Sequence, residues 1–289
     1  MKKLAVVLVA GAALLAGCGG GGSSTGSSSP SSSAPPKPSG KVQVLYAGSL
    51  ENLMEKDLGN DYTAASGVSF EGTPAGSTQL VSDIKGKVKP ADVFISASAD
   101  ANTGLEGAAN GDWEDWYATF ATAPLVIGYN PNSKFANDLK TKPWQQVITE
   151  PGFLFGSTDP KLDPKGKLGA QALAKENLPA TTAQVFPEEQ LVGRLQAGQL
   201  DAGFFCSSEA ADAKIPTVTL GSVSLKATYT VTVLNKAPNE AAAVSFVNYL
   251  LGSNGIALLN KHGLQVQPIT VTGTKSMVPA GLQGVLGGK

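Results

Sequence analysis

Histidine, cysteine, charge and long apolar runs are all scarce in this 289-residue chain. With one histidine and two cysteines, no cluster has zinc-ligand spacing, and Asp159 and Asp163 do not fall in an EF-hand pattern, so no bound metal cation is expected. The 22 basic residues are balanced by 23 acidic ones and are not clustered, so the electrostatic footprint of a nucleic-acid binder is missing. Beyond residue 41 there is no Gly-x-Ser-x-Gly elbow. The one conceivable nucleophile and base, Cys206 and His262, is a weak pair, because Leu259 to Gly263 reads as a helix C-terminus where a basic side chain suits the dipole. Gly166-Lys167 is followed by Leu168, where a phosphate-binding loop needs Ser or Thr. Neither an enzyme nor a cofactor is indicated.

The one long apolar run, Leu4 to Leu15, follows Lys2 and Lys3 and precedes small residues. It is too short for a permanent span of a roughly 30 Å hydrocarbon core and reads as a secretory signal peptide over residues 1–17. Leu15-Ala16-Gly17-Cys18 resembles the bacterial lipobox, which implies that Cys18 is acylated and anchors the chain outside the cytoplasmic membrane. Residues 18–40 are otherwise nearly all Gly, Ser, Pro and Ala, a composition that cannot offset its ordering entropy and reads as a disordered tether. With Cys18 lipidated, Cys206 has no disulfide partner; a buried, inert thiol is the commoner outcome than a reactive one.

About 250 residues remain, enough for two lobes with real cores. Val42 to Tyr46 reads as a strand, Ala47-Gly48-Ser49 as a turn, and Leu50, Leu53, Met54 and Leu58 fall at helical spacing. Further helices are expected over 78–84, 165–176, 187–197 and 240–251, and strands over 92–96, 125–129, 153–155, 202–205 and 229–234. This alternation predicts an α/β fold with largely parallel sheets and a ligand beyond the carboxyl ends of the strands.

Four helix starts stand out. Ser49 and Ser77 place hydroxyls at helix N-termini, where unpaired N–H groups and the dipole favour anions; ordinary N-capping is the alternative for each. Asp163-Pro164-Lys165 and Phe186-Pro187-Glu188 each set a proline in the first turn and leave the next backbone N–H, of Lys165 and of Glu188, as a donor. Hydrogen bonds from such donors to a charged acceptor are stronger than those between neutral groups.

Tyr46 to Leu50, Pro74 to Ser77, Ala91 to Val93, Ser96 to Ser98, Asp115 to Tyr117, Asn132 to Ala136, Gly156 to Gly166 and Leu195 to Ala210 together resemble the tungstate/molybdate-binding proteins of ABC transporters, in order from about residue 42 to 265. The resemblance implies a two-lobed type II periplasmic-binding-protein fold with a two-crossing hinge near Ala121 to Pro124 and Ala227 to Tyr229, lobe I being 41–121 with 230–289 and lobe II 122–229. It also implies that the chain, a monomer, hands molybdate or tungstate to an ABC permease and ATPase.

Its ligand contacts map onto the hydroxyls of Ser49 and Ser77 and the amides of Lys165 and Glu188, whose side chains are free to point away. Asp163 matches one of two carboxylates that some branches set against the oxyanion's metal; Phe205 stands where the second is expected. Cys206 stands where other branches have a tyrosine, and its thiol is a weaker donor. Ser207, Ser208 or Glu209 could substitute. The alternatives are the same fold binding sulfate or a small organic anion, and, third, a structural surface lipoprotein.

Overall fold

The computed structural model describes residues 40–287. The expected signal segment, Cys18 and all but the last residue of the tether lie outside the described residues.

Ten strands form the framework: β1 Lys41–Ala47, β2 Ser69–Ala75, β3 Val93–Ser96, β4 Trp116–Tyr129, β5 Phe155–Thr158, β6 Gln184–Phe186, β7 Ala202–Cys206, β8 Thr217–Val218, β9 Lys226–Val233 and β10 Gln265–Gly273. They run in the order β2-β1-β3-β9-β4-β7-β5-β6, with β8 and β10 also pairing to β4. In lobe I, β1 is parallel to β2 and β3, and β9 is antiparallel to β3. In lobe II, β5 is parallel to β6 and β7.

The two lobes share β4. Its first half pairs with β9 and β10, and from Leu125 to Tyr129 it pairs with β7. Strand β9 returns beside it, with Ala227 opposite Ala123 and Tyr229 opposite Ala121. These two neighbouring passages are the only long strands that belong to both halves among the described residues, which is the two-crossing arrangement of a type II periplasmic binding protein.

Each lobe buries apolar side chains on both sheet faces. Val42, Val44 and Tyr46 enter one lobe I core with Phe246 and Leu250, while Leu45 faces Leu80 and Phe94 on the other side. The alternation in Val42 to Tyr46 is therefore that of a strand covered on both faces. In lobe II, Phe204 packs with Trp144 and Phe155, and Phe205 packs opposite with Val126, Leu191 and Ile215.

The helix Pro164–Lys175 begins as its sequence predicts, with Asp163 accepting from the Lys165 amide at 3.2 Å and Pro164 in the first turn. Gly169 lets it lie on β7, since a Cβ there would stand 2.6 Å from the Phe204 ring. The helices at Ser77–Lys85 and Glu240–Leu251 also fall where periodicity places them.

Several features differ from the sequence expectation: the sheet is mixed and not largely parallel, with five antiparallel strand pairings against four parallel ones, and the strand expected over 153–155 is Phe155–Thr158. The strand at 125–129 is only the end of the 14-residue β4, because its first half, rich in Ala and Thr, shows no clean alternation. The helix expected over 187–197 is a 3-10 turn Glu188–Gln190 followed by Leu191–Gln196. Strands β2, β6, β8 and β10 were not expected. Prolines within β2 and β10 hide the period there, β6 and β8 are too short to show one, and in β10 the pairing shifts between Val266 and Thr270, around Pro268.

Candidate ligand-binding site

The four helix starts meet at the seam between the lobes. A Cβ on Gly48, beside Ser49, would lie 2.5 Å from the Glu188 carboxylate of the other lobe. A Cβ on Gly76, beside Ser77, would lie 2.5 Å from the Leu162 carbonyl and 2.9 Å from Asp163 Cβ. The amide of Gln79 donates to that Leu162 carbonyl at 3.0 Å, so the lobes are closed on one another. Along the seam runs a cleft of ≈ 500 Å³ lined in part by Gly76, Gln79, Leu162, Asp163 and Glu188.

Neither serine caps its own helix. Ser49 sits in the 3-10 turn Gly48–Leu50, buried, with its Oγ 2.9 Å from the Tyr229 hydroxyl. Ser77 is fully buried as the first residue of its helix, whose N-cap is Gly76, and its Oγ accepts from the Ala97 amide at 3.0 Å. A hydroxyl that accepts still has its own proton to give. Ser77 thus keeps a donor of its own.

Asp163 is the N-cap of its helix, and this engages the Lys165 amide. The other carboxylate oxygen, Oδ2, is buried without a hydrogen-bond partner among the described residues, as are Thr158 Oγ1 and Ser208 Oγ. Burial, and then the charge of Glu188, push the Asp163 carboxyl up. Such unpaired buried polar atoms cost about 1–3 kcal/mol each unless something fills their needs.

The Lys165 side chain does not point away into solvent. Its Nζ lies 2.8 Å from Glu188 and 2.9 Å from both oxygens of Glu209, and 5.4 Å from the centre of the Phe205 ring. Burial works against this ammonium, but Glu188, Glu209 and Asp163 outweigh it and hold its pKa well above the ordinary lysine value. Burial also pushes Glu209 up, opposed by Lys165. Glu209 completes a capping box by accepting from the Cys206 amide at 3.3 Å.

Cys206 is fully buried, and burial followed by the charge of Glu209 pushes its thiol up to about 12. A thiol held so firmly protonated is inert as a nucleophile. Both ring nitrogens of His262 are taken up by carboxylates, Nδ1 by Asp212 and Nε2 by Asp57, which leaves neither for Cys206. Among the described residues no group of three or more His, Cys, Asp and Glu side chains is arranged for a metal ion.

The structure thus brings Ser49, Ser77, Asp163, Lys165, Glu188 and Cys206 to one seam. Tyr229 is the member that sequence reasoning missed. A tyrosine in a strand reads as ordinary core, and nothing local in Thr228-Tyr229-Thr230 shows that its hydroxyl reaches a serine 180 positions away.

Residues 42–265 match the family model described as bacterial extracellular solute-binding protein. The chain belongs to that family. Its members capture solutes and are not enzymes. An uncharacterised solute-binding protein of Petrotoga mobilis is 26% identical over 273 residues, covering 78% of this chain and 83% of that one. The molybdate/tungstate-binding protein of Thermococcus kodakarensis is 25% identical over 280 residues, covering 73% and 78%. Among solved structures, the periplasmic molybdate-binding protein of Azotobacter vinelandii superposes with a TM-score of 0.64 at 18% identity, covering 78% of this chain and all of that one. That likeness is one of fold, and it agrees with the two lobes and their shared strands.

Proposed function

We propose that this protein captures a small oxyanion, molybdate or tungstate ahead of sulfate or a small organic anion, between its lobes and delivers it to the permease and ATPase of an ABC importer. The observation that carries this reading is the meeting of Ser49 and Ser77 from one lobe with the Asp163-to-Lys165 and Glu188 helix starts of the other. The Ser77 hydroxyl accepts from Ala97 and has its own proton to offer, and helix N-termini add partial positive charge without a counter-ion to displace. The named specificities of the Thermococcus and Azotobacter proteins support the choice of anion.

In this reading Ser49 and Ser77 donate to oxyanion oxygens, as do the backbone amides of Lys165 and Glu188, the first exchanging its bond to Asp163 for one to the ligand. Lys165 Nζ neutralises Glu188 and Glu209, so that the dianion does not meet two unpaired carboxylates. Cys206 and Asp163 line the site. A set of fixed donors spaced for long metal–oxygen bonds selects against sulfate by leaving donors unpaired. The lobes are taken as 41–121 with 230–289 and 122–229, Cys18 as the lipid attachment point, and the working form as a monomer held at the outer face of the cytoplasmic membrane.

Melting curves with molybdate, tungstate, sulfate and phosphate test the reading, because a ligand that binds only the native state raises its stability by RT ln(1 + [L]/Kd). Molybdate or tungstate is expected to give the largest shift, and the Ser49→Ala, Ser77→Ala double variant to abolish it while still folding. An absence of any shift with all four anions overturns the reading and leaves a small organic anion, then a structural surface lipoprotein, as the alternatives.

A further inference from the structure

We infer that Tyr229 is a positioning residue that aims the Ser49 hydroxyl at the ligand, an inference that rests on the oxyanion reading and adds to it a residue on the hinge itself. Tyr229 is fully buried in β9, at one of the two strands that join the lobes. Its hydroxyl and Ser49 Oγ are 2.9 Å apart, and one of the two must donate. The phenol is the more acidic hydroxyl, so it is the better donor and serine the better acceptor. Ser49 then keeps its own proton for a third group, yet Tyr229 is its only side-chain hydrogen-bond partner among the described residues.

A buried hydroxyl with an unclaimed proton is costly in the empty protein and becomes an asset once an acceptor arrives. Cys206 is buried in the same apolar cluster as Tyr229. The order Tyr229 O–H to Ser49 O–H lets the serine accept one bond and donate one, and it ends on the anion. Chains of this kind polarise their members in the donating direction. Ser49 belongs to one lobe and Tyr229 to a strand that joins the two, so the serine is aimed from the crossing itself. Ser49 is the one hydrogen-bond partner of the tyrosine hydroxyl among the described residues, and the tyrosine ring is packed against Phe120, with centroids 6.4 Å apart.

Binding of molybdate by calorimetry to wild type, Tyr229→Phe, Ser49→Ala and the double variant tests this. Tyr229→Phe removes one oxygen and keeps the ring. It is expected to weaken binding about tenfold, the effect of losing roughly 1.4 kcal/mol, with the ligand-free melting temperature little changed. Because Tyr229 acts through Ser49, the double variant is expected to bind no more weakly than Ser49→Ala alone, whereas a purely structural role makes the two losses add. Unchanged affinity in Tyr229→Phe, or additive losses, overturns the inference while leaving the oxyanion reading standing. Failure of the wild type to bind any of the four anions overturns both.

Should Tyr229→Phe not fold, the Cζ resonance of ring-labelled Tyr229 in the wild type decides instead. It is expected to move on adding molybdate and to stay still in Ser49→Ala; a resonance indifferent to molybdate in the wild type overturns the inference.

Discussion

His262 and Asp212 join the two lobes through a 2.7 Å contact between Nδ1 and a carboxylate oxygen. Asp212 ends the helix Ser207–Asp212 that follows β7 in lobe II, while His262 closes the helix Ser253–Lys261 of lobe I. The other ring nitrogen meets Asp57 at 2.8 Å, and Lys261 pairs with the same Asp57. Asp212→Asn removes the anionic partner from one lobe only. The expected outcome is a folded protein with a looser closed form, read as a few-fold weaker ligand affinity and a larger ligand-free radius in small-angle scattering.

Gly76 is where closure is most sensitive to one added carbon. A methyl group there would meet the Leu162 carbonyl, a backbone atom that cannot turn aside, whereas one on Gly193 meets nothing within 4 Å. Gly76→Ala is therefore expected to hold the lobes apart and weaken ligand binding at least tenfold with a normal melting temperature, and Gly193→Ala to leave binding unchanged. The two titrations side by side check this.

Lys165 neutralises two carboxylates that are themselves buried. Removing one member of a buried ion pair costs about 3–5 kcal/mol because the partner charges remain. Lys165→Met is expected to lower the melting temperature sharply at neutral pH. Glu209 is already pushed up by burial, with Lys165 holding it down, so the variant's carboxyl binds its proton more tightly still. The folded variant then holds more protons than the unfolded chain above pH 4.5 or so, and its stability falls as pH rises. Melting curves at pH 5 and pH 8 should show the variant recovering at the lower pH, far more than wild type.

Glu114 gives a second pH dependence, remote from the seam. Burial raises its carboxyl from 4.5 to about 8, opposed by the Asn102 amide, which donates to both oxygens at 2.9 and 3.0 Å. Because the folded pKa is the higher one, the protonated form is favoured in the native state. Its contribution is complete below about pH 4.5 and is lost as pH rises toward 8. Glu114→Gln cannot ionise and is expected to flatten the fall in melting temperature across that window.

The sequence by itself determined the elements that local rules govern. Val42 to Tyr46, the Asp163-Pro164 helix start and the apolar face of Glu240–Leu251 each follow from period, capping or proline geometry, which act within a few residues. The same locality made Ser49, Ser77, Asp163, Lys165 and Glu188 legible as candidate donors or acceptors. Tertiary structure decided the rest, because a hydrogen bond's partner is not encoded near it. Only the fold shows that Ser77 answers to Ala97 and not to its own helix, and that the Lys165 ammonium turns into Glu188 and Glu209. Only the fold sets Tyr229, on a strand joining the lobes, against the hydroxyl of Ser49.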